Sequence, residues 1–371
     1  MTIIFSIVIL LVAIHVMRKC ASSFDIAASY LTRNLGEGIK GPTINAVASS
    51  LPELLISSMF LFYFKDIKGF SAGYGTIIGS SAFNIALIPV ISFVYLYVTK
   101  GKAKVFQINK RIVKQDALFL LGSISILSLG FFIGVNFYLA LLLILFYFVY
   151  IFYVFKTRVD KKDKKFIKNH NLKLSDKITH VEAGSFLSSL FNFKLFRIFF
   201  KGNVTSLTST LVVLISVFII GGSCYLLVLA TENISHILGV NLFFGAFIIA
   251  AIASSIPDTI FSIQDAKNDK FIDSFSNAYG SNIFDICIGI GLPVLVYSSI
   301  YGPINMNMPI ERIGWIGDSV LGGNLFMWSL LILFFFTALV SLVYYKRNLT
   351  LKSAVLIFLL YLSFIITLLI F

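Results

Sequence analysis

Two short segments of the sequence place an acidic residue directly after a proline and two serines shortly before it. The first runs from Ala46 to Glu53 as AVASSLPE, and the second runs from Ala251 to Asp258 as AIASSIPD. A proline inside a helix removes one backbone hydrogen bond and frees a carbonyl on the preceding turn. Each segment therefore offers a carboxylate, hydroxyls and carbonyls together, and such oxygen-only sets suit hard cations such as Ca2+ and Na+.

A second motif follows each of these segments. It reads GSSAFNI from Gly79 to Ile85 and GSNIFDI from Gly280 to Ile286, so that Asn84 and Asp285 occupy equivalent positions. The four histidines lie outside all four motifs, and the three cysteines are scattered along the chain. The sequence therefore predicts neither a soft-metal centre nor a disulfide framework.

Three acids of these motifs, Glu53, Asp258 and Asp285, fall inside long apolar runs. An ionisable residue buried in a membrane is costly, and its presence indicates function. Three carboxylates in one cavity repel each other unless cations or protons neutralise them. The serines of the motifs are candidate ligands as well, although small residues in membrane helices also serve close packing: Ser49, Ser50, Ser80, Ser254, Ser255 and Ser281.

The elements that carry these residues are predicted to be membrane-spanning helices. The composition is 58% hydrophobic and 13% charged, and soluble domains carry about 25% charged residues. Several runs reach the roughly 20 apolar residues that cross a bilayer. Hydropathy predicts ten spans, over residues 1–17, 37–64, 70–99, 117–135, 137–155, 204–231, 239–263, 272–300, 323–345 and 353–371.

Charge supports this topology. If the N-terminus faces outward, most of the 30 Lys and Arg residues fall in segments on one side, as expected for the cytoplasmic face. The net charge of +13 therefore reflects topology, and no nucleic-acid partner is predicted. The basic loop 156–203 is interpreted as a linker that contacts anionic lipid headgroups, with a regulatory ligand site as the alternative. Asp265, Asp269 and Asp273 lie at a short turn and are interpreted as mostly solvated.

The duplicated motifs are separated by five predicted helices, and an odd number reverses orientation. The sequence therefore predicts an inverted repeat, in which the substrate site lies near the membrane midplane between the halves. The predicted division is a first repeat over 1–155, a basic cytoplasmic loop over 156–203 and a second repeat over 204–371.

The two pairs of motifs resemble those of the cation/calcium exchanger superfamily. The stretch from Ser274 to Pro293 is similar to the second repeat of sodium/calcium exchangers, especially the potassium-dependent branch. The resemblance implies an all-α integral membrane fold of ten transmembrane helices in two inverted five-helix repeats. It also implies alternating access, in which the first and sixth helices slide across the other eight. Ala48 and Ala253 depart from the glycine usual in the family, so selectivity and stoichiometry stay open.

The resemblance also implies roles for the site residues. Glu53 and Asp258 are expected to be the principal calcium ligands, with backbone carbonyls near Ala46 and Ala251. The serines are expected to serve sodium sites, and Asn84 and Asp285 to complete the cavity. The expected function is a sodium/calcium antiporter, not an enzyme, whose transported ions are Ca2+ and Na+.

Several alternatives stay open at this point. A calcium/proton exchanger of the same superfamily is the nearest, although its members usually lack an acid at the position of Asp285. Potassium co-transport is a second, because the resemblance links Asp285 to potassium dependence. A cation channel and an intramembrane aspartyl protease are remote. The expected location is a prokaryotic plasma membrane with the N-terminus outside, and the oligomeric state is unknown, with a monomer plausible.

Overall fold

The computed structural model describes residues 2–33, 42–43, 46–100, 108–158, 185–268, 270–304 and 325–370. Within these ranges the chain is almost entirely helical, and an isolated bridge joins Val135 to Ile304. The helices are α1 Ile3–Leu31, α2 Ala46–Ser49, α3 Leu51–Phe64, α4 Ile67–Lys100, α5 Lys110–Ser128, α6 Gly130–Ile133, α7 Phe137–Arg158, α8 Phe186–Phe191, α9 Leu195–Phe200, α10 Ser206–Leu238, α11 Leu242–Lys267, α12 Phe271–Tyr301, α13 Leu325–Lys346 and α14 Leu351–Ile370.

Eight of these helices are long and apolar enough to cross a membrane, namely α1, α4, α7 and α10 to α14. The second predicted span is represented by the kinked pair α2 and α3, of which α3 is a shorter apolar helix. The fourth is represented by α5, which is amphipathic at its start, where Lys110, Arg111 and Lys114 are found. The chain is therefore an integral membrane protein with at least eight candidate spans among the described residues.

Several helix boundaries differ from the prediction, and two of the differences have a clear physical cause. α1 continues from Met17 to Leu31, because small residues such as Cys20 and Ala27 in this part pack against the protein instead of entering solvent. α5 begins at Lys110 instead of residue 117, because the Asn109 side chain accepts the free N–H groups of Arg111 and Ile112. The predicted start of the second span, at residue 37, lies outside the described residues.

The first helix of the chain packs along the first long helix after the basic loop. α1 and α10 run side by side over much of their length. Asn233 of α10 donates to Ser6 near one end of α1, and the Cys20 thiol lies 3.7 Å from the Ser216 carbonyl further along. α10 itself is capped by a reciprocal Thr205–Thr208 pair and ends at Gly239, whose φ of 63° suits glycine.

The centre of the molecule is formed by α4, α11 and α12. α4 is the most enclosed of the candidate spans and contacts α3, α11, α12, α13 and α14. α11 and α12 each contain a π-helical stretch, Ala246–Ala250 and Asp285–Ile290, so their regular hydrogen bonding changes beside the duplicated motifs. Such stretches are often found at functional sites.

The structure adds detail to the basic loop and corrects the interpretation of two acids at the short turn. The predicted linker 156–203 contains the short helices α8 and α9, which dock on α1. Asp265 and Asp273 are buried instead of solvated, because α11 and α12 extend closer to the turn than predicted and enclose both side chains. Asp269 lies outside the described residues.

Candidate functional site

Both proline segments form helices that break at the second serine. Ser50, between α2 and α3, has ψ of 4°, and Ser255, within α11, has ψ of −2°. Pro52 and Pro257 each lie in the first turn after the break, where a missing N–H removes no internal hydrogen bond. The acid that follows each proline is therefore held on the first turn after a matched kink.

The Asp258 carboxylate is held by residues from both halves of the chain. Its Oδ1 accepts a hydrogen bond of 2.7 Å from Ser281, and its Oδ2 accepts one of 3.1 Å from the Asn84 amide. Asn277 donates to the Asp258 backbone carbonyl at 3.5 Å. Asp258 is fully buried, so its ionised form depends on these donors and on any cation that binds.

The Glu53 carboxylate is joined to this cluster through Ser80. The Ser80 hydroxyl lies 3.2 Å from Glu53 Oε1 and 3.0 Å from the Ser255 hydroxyl. Asn84 donates to Ser80 at 3.2 Å as well as to Asp258. Two residues of α4 thus link the acid of the first motif to the acid of the second.

The remaining predicted ligands lie on the turns before the acids. Ser49 lies 3.3 Å from the Ser281 hydroxyl and 3.4 Å from the Ala46 carbonyl, and Ser254 donates to the Ala251 carbonyl at 3.1 Å. The Ala46 and Ala251 carbonyls also accept the backbone N–H groups of the kink serines. All the predicted site residues are buried.

Several oxygen atoms at this centre have no hydrogen-bond partner among the described residues. They are Glu53 Oε2, Ser50 Oγ, Asn84 Oδ1 and both carboxylate oxygens of Asp285. A buried polar atom left unpaired costs about 1–3 kcal/mol. A cation bound among these oxygens removes that cost, so the donor set fits a hard ion.

No group of three or more His, Cys, Asp or Glu side chains arranged to hold a metal is present in the described part of the chain. Hydroxyl, amide and carbonyl oxygens must therefore complete any coordination shell.

Two glycines of the second motifs allow the helices around the site to approach closely. A Cβ at Gly79 would lie 2.7 Å from the Ala251 side chain and against the Phe247 carbonyl. A Cβ at Gly280 would lie 2.6 Å from Pro42 Cα. Each glycine therefore sets the spacing between one motif helix and the opposite half of the chain.

Sequence reasoning missed two buried polar residues, Asn277 at this centre and Asp116 away from it. Asn277 donates to Asp258 and to Ser262, and its four-residue spacing from Ser281 on the same helix could have revealed it. Asp116, fully buried, accepts hydrogen bonds from Tyr150 and Ser276. It was missed because the predicted span began one residue after it.

The amino-acid sequence of this chain establishes its family. A family model described as sodium/calcium exchanger protein matches residues 5–156 and 208–370, which is most of the chain. The chain belongs to this family. The matched residues include all four motifs, and the long unmatched stretch, 157–207, comprises most of the basic loop with α8 and α9 and the start of α10.

Curated relatives resemble a short part of this exchanger-family chain. The sodium/potassium/calcium exchanger Nckx30C of Drosophila melanogaster is 41% identical over 58 residues, which is 15% of this chain and 7% of the relative. The human sodium/potassium/calcium exchanger 2 is 35% identical over 77 residues, which is 21% of this chain and 12% of the relative. These matches cover a small fraction of the relatives' length.

Solved structures share the fold over nearly the whole chain. The H+/Ca2+ exchanger CAX superposes with a TM-score of 0.66 at 16% identity, covering 98% of this chain and 82% of CAX. The sodium-calcium exchanger NCX_Mj superposes with a TM-score of 0.58 at 17% identity and covers 99% of both chains. The exchanger fold is therefore common to this chain and to exchangers that differ in the ion they couple to calcium.

Proposed function

We propose that this protein is a secondary active antiporter that exchanges Na+ for Ca2+ across a membrane. The observation that carries the proposal is the buried cluster in which Glu53 and Asp258, at matched kinks, are joined by Ser80 and Asn84. The cluster contains oxygens that have no partner among the described residues, and the chain is a member of the sodium/calcium exchanger family. A divalent ion and several monovalent ions are alternative ways to balance the same carboxylates.

The fold supports alternating access at this site. We infer ten transmembrane helices in two inverted five-helix repeats, 1–155 and 204–371, with α1 and α10 as the first and sixth. The breaks at Ser50 and Ser255 and the close contacts at Gly79 and Gly280 recur at matching places in the two repeats. Inverted repeats of this design present one central site to each side in turn. We also infer a prokaryotic plasma membrane, with the basic loop cytoplasmic.

Calcium uptake into proteoliposomes tests the proposal. Vesicles loaded with Na+ are diluted into Na+-free medium that contains Ca2+, with proton gradients collapsed. Uptake is expected to require the outward Na+ gradient, to saturate with Ca2+ and to fall to background in Glu53→Gln and Asp258→Asn. Asp66→Asn is the matched control, because Asp66 is an exposed acid in the turn before α4 and lies outside the site.

Other outcomes identify other functions. Uptake that ignores Na+ but follows a proton gradient would make the protein a calcium/proton exchanger, the activity named for CAX. A requirement for K+ in addition to Na+ would make it a potassium-dependent exchanger, the activity named for the curated relatives. Flux that does not saturate and needs no counter-ion would indicate a channel and contradict the proposal.

A further inference from the structure

The two short helices α8 and α9 present an apolar face that no described part of the chain covers. Most of their exposed side chains are large and hydrophobic, although neither helix is a candidate span. We define the α8–α9 apolar face by these residues, with exposures from 49% to 73%: Phe186, Leu187, Leu190, Phe191 and Phe199. On α8 the apolar positions share one side, and Ser189, on the opposite side, is buried.

This helix pair is fixed to α1. The Ser23 hydroxyl donates to the Phe193 carbonyl at 2.6 Å and accepts the Leu195 N–H at 3.2 Å. Lys19 donates to the Asn192 side chain at 2.6 Å. Phe193 and Lys201 both adopt positive φ, which non-glycine residues rarely do. The contacts therefore hold α8 and α9 in one defined orientation.

The helix pair lies level with the start of a membrane helix. Leu195 and Phe196 of α9 are buried in one cluster with Val204 and Val212, and Val212 is in the second turn of α10. α10 has 33 residues, which makes it about 50 Å long against a hydrocarbon core of about 30 Å. Its first turns can therefore reach the headgroup layer, and α8 and α9 lie beside them.

The charge of the segment matches an anionic surface. Residues 185–203 contain Lys194, Arg197 and Lys201 and no acidic residue. Arg18 and Lys19 of α1 are next to the docking contact. Basic side chains beside exposed phenylalanines and leucines are typical of helices that lie in the plane of a membrane interface.

We propose that α8 and α9 form an interfacial anchor that binds anionic phospholipid. The α8–α9 apolar face enters the acyl-chain boundary of the leaflet next to the basic loops, and Lys194, Arg197 and Lys201 lie at the level of the lipid phosphates. Because Ser23 and Lys19 hold the pair, the anchor ties α1 to that leaflet. This inference does not depend on which ions the protein transports.

Depth measurements with a fluorescent probe test the anchor. The purified full chain carries the substitution Phe191→Cys, and this cysteine is labelled with an NBD thiol probe. The labelled protein is placed in vesicles whose lipids carry a nitroxide quencher either near the headgroup or deep in the acyl chain. The native cysteines are buried, so the unaltered chain provides the labelling background. Ser188→Cys is the matched control, because Ser188 is exposed on the same helix but outside the apolar face. The Phe191 probe is expected to emit at shorter wavelength and to be quenched several-fold more than the Ser188 probe.

Lipid selectivity is tested with the same labelled chain. Nitroxide phosphatidylglycerol and nitroxide phosphatidylcholine are compared at equal, low mole fraction. Phosphatidylglycerol is expected to quench the Phe191 probe several-fold more strongly, since each basic residue near a membrane surface contributes about five-fold. The excess is expected to disappear in Lys194→Gln/Lys201→Gln. Equal quenching by the two lipids would overturn anionic recognition. No quenching by any lipid would overturn the anchor and indicate that the face lies in water. A blue shift that appears only at high protein-to-lipid ratio would overturn it and indicate a contact between copies of the chain.

Discussion

Asn84 donates hydrogen bonds towards the acids of both motifs, and its role follows from that geometry. Its amide reaches Ser80, which contacts Glu53, and it reaches Asp258 directly at 3.1 Å. Asp285, at the equivalent position, has two oxygens without partners among the described residues. The pair therefore breaks the symmetry of the repeat: one member donates to the acids, and the other adds an acid.

Substituting Asn84→Asp is expected to destabilise the protein in the absence of cations. The new carboxylate cannot donate to Asp258 and places a like charge within about 3 Å of it. We expect a lower midpoint of thermal unfolding in chelator and a larger rise on adding Ca2+ than in the unaltered protein. A thiol-reactive dye can follow unfolding, because the three cysteines are buried. Asn84→Ala, which removes the donor without adding charge, is the control, and equal calcium shifts in both variants would contradict a role for charge repulsion.

Asp285→Asn tests the position associated with potassium. If Asp285 binds a monovalent co-substrate, its replacement removes any stimulation of calcium uptake by K+ and retains Na+-driven uptake. The measurement is Ca2+ uptake into Na+-loaded vesicles across a series of external K+ concentrations, with Asp116→Asn as a control acid that is buried elsewhere. K+ stimulation that survives in Asp285→Asn would move the potassium site away from this residue.

The sequence could single out Glu53 and Asp258, which the structure links through Ser80 and Asn84, because an acid is costly inside an apolar run and its duplication at a matched position indicates a shared ion site. It could not predict which atoms pair. The bond from Ser80 to Ser255, for example, depends on how closely α4 approaches α11. Asp116 was missed for a related reason. A lone acid at the end of an apolar run is normally interpreted as the edge of a membrane span, and only the structure shows that Tyr150 and Ser276 donate hydrogen bonds to it inside the protein.

At the scale of the helices, close contact between the halves depends on Gly79 and Gly280. Replacing either residue by Ala is expected to lower the unfolding free energy by about 1–3 kcal/mol, since the added methyl meets backbone or another Cβ. The midpoint of thermal unfolding in detergent measures this effect. Gly222→Ala on α10 is the control, because no atom of the described residues lies within 4 Å of the added methyl. A loss of stability at Gly222 as large as at Gly79 would mean that the loss does not come from helix contacts.

Helix existence was predictable and helix ends were less so. The hydropathy of the sequence shows where a membrane span exists. The hydropathy value drops wherever polar residues begin, however, both where a helix ends and where it continues and packs against other helices. α1 continues beyond Met17 because its later residues pack on α10, α11 and α9, and α5 begins early because Asn109 caps it. The prolines led us to expect only freed carbonyls near Ser50 and Ser255. The structure shows in addition that the backbone bends at these serines, where ψ is 4° and −2°.

For the molecule as a whole, the long contact between α1 and α10 supports the proposal that these helices move together during transport. Cys20 on α1 lies beside Ser216 on α10, so Ser216→Cys provides a partner for a short membrane-permeant bifunctional thiosulfonate. If α1 and α10 do move together, crosslinked protein retains most of its Ca2+ uptake, because the link joins two parts of one moving body. The control is Ser216→Cys with Cys20→Ser, which cannot form this crosslink. Loss of uptake on crosslinking, absent from the control, would show that α1 and α10 move relative to each other during transport.

The unequal pair of Asn84 and Asp285 has a further consequence, for the response to membrane voltage. Suppose that the proposed antiporter exchanges one calcium ion for three monovalent ions and that Glu53, Asp258 and Asp285 are all ionised. The calcium-loaded cavity then has a net charge of −1, whereas the cavity loaded with three monovalent ions is neutral. Only the calcium-loaded form then carries charge across the bilayer, and each elementary charge is worth about 2.3 kcal/mol per 100 mV. In Asp285→Asn the calcium-loaded cavity becomes neutral and the form with three monovalent ions becomes positive. A single substitution would thus transfer the electrical work of transport from one half of the cycle to the other.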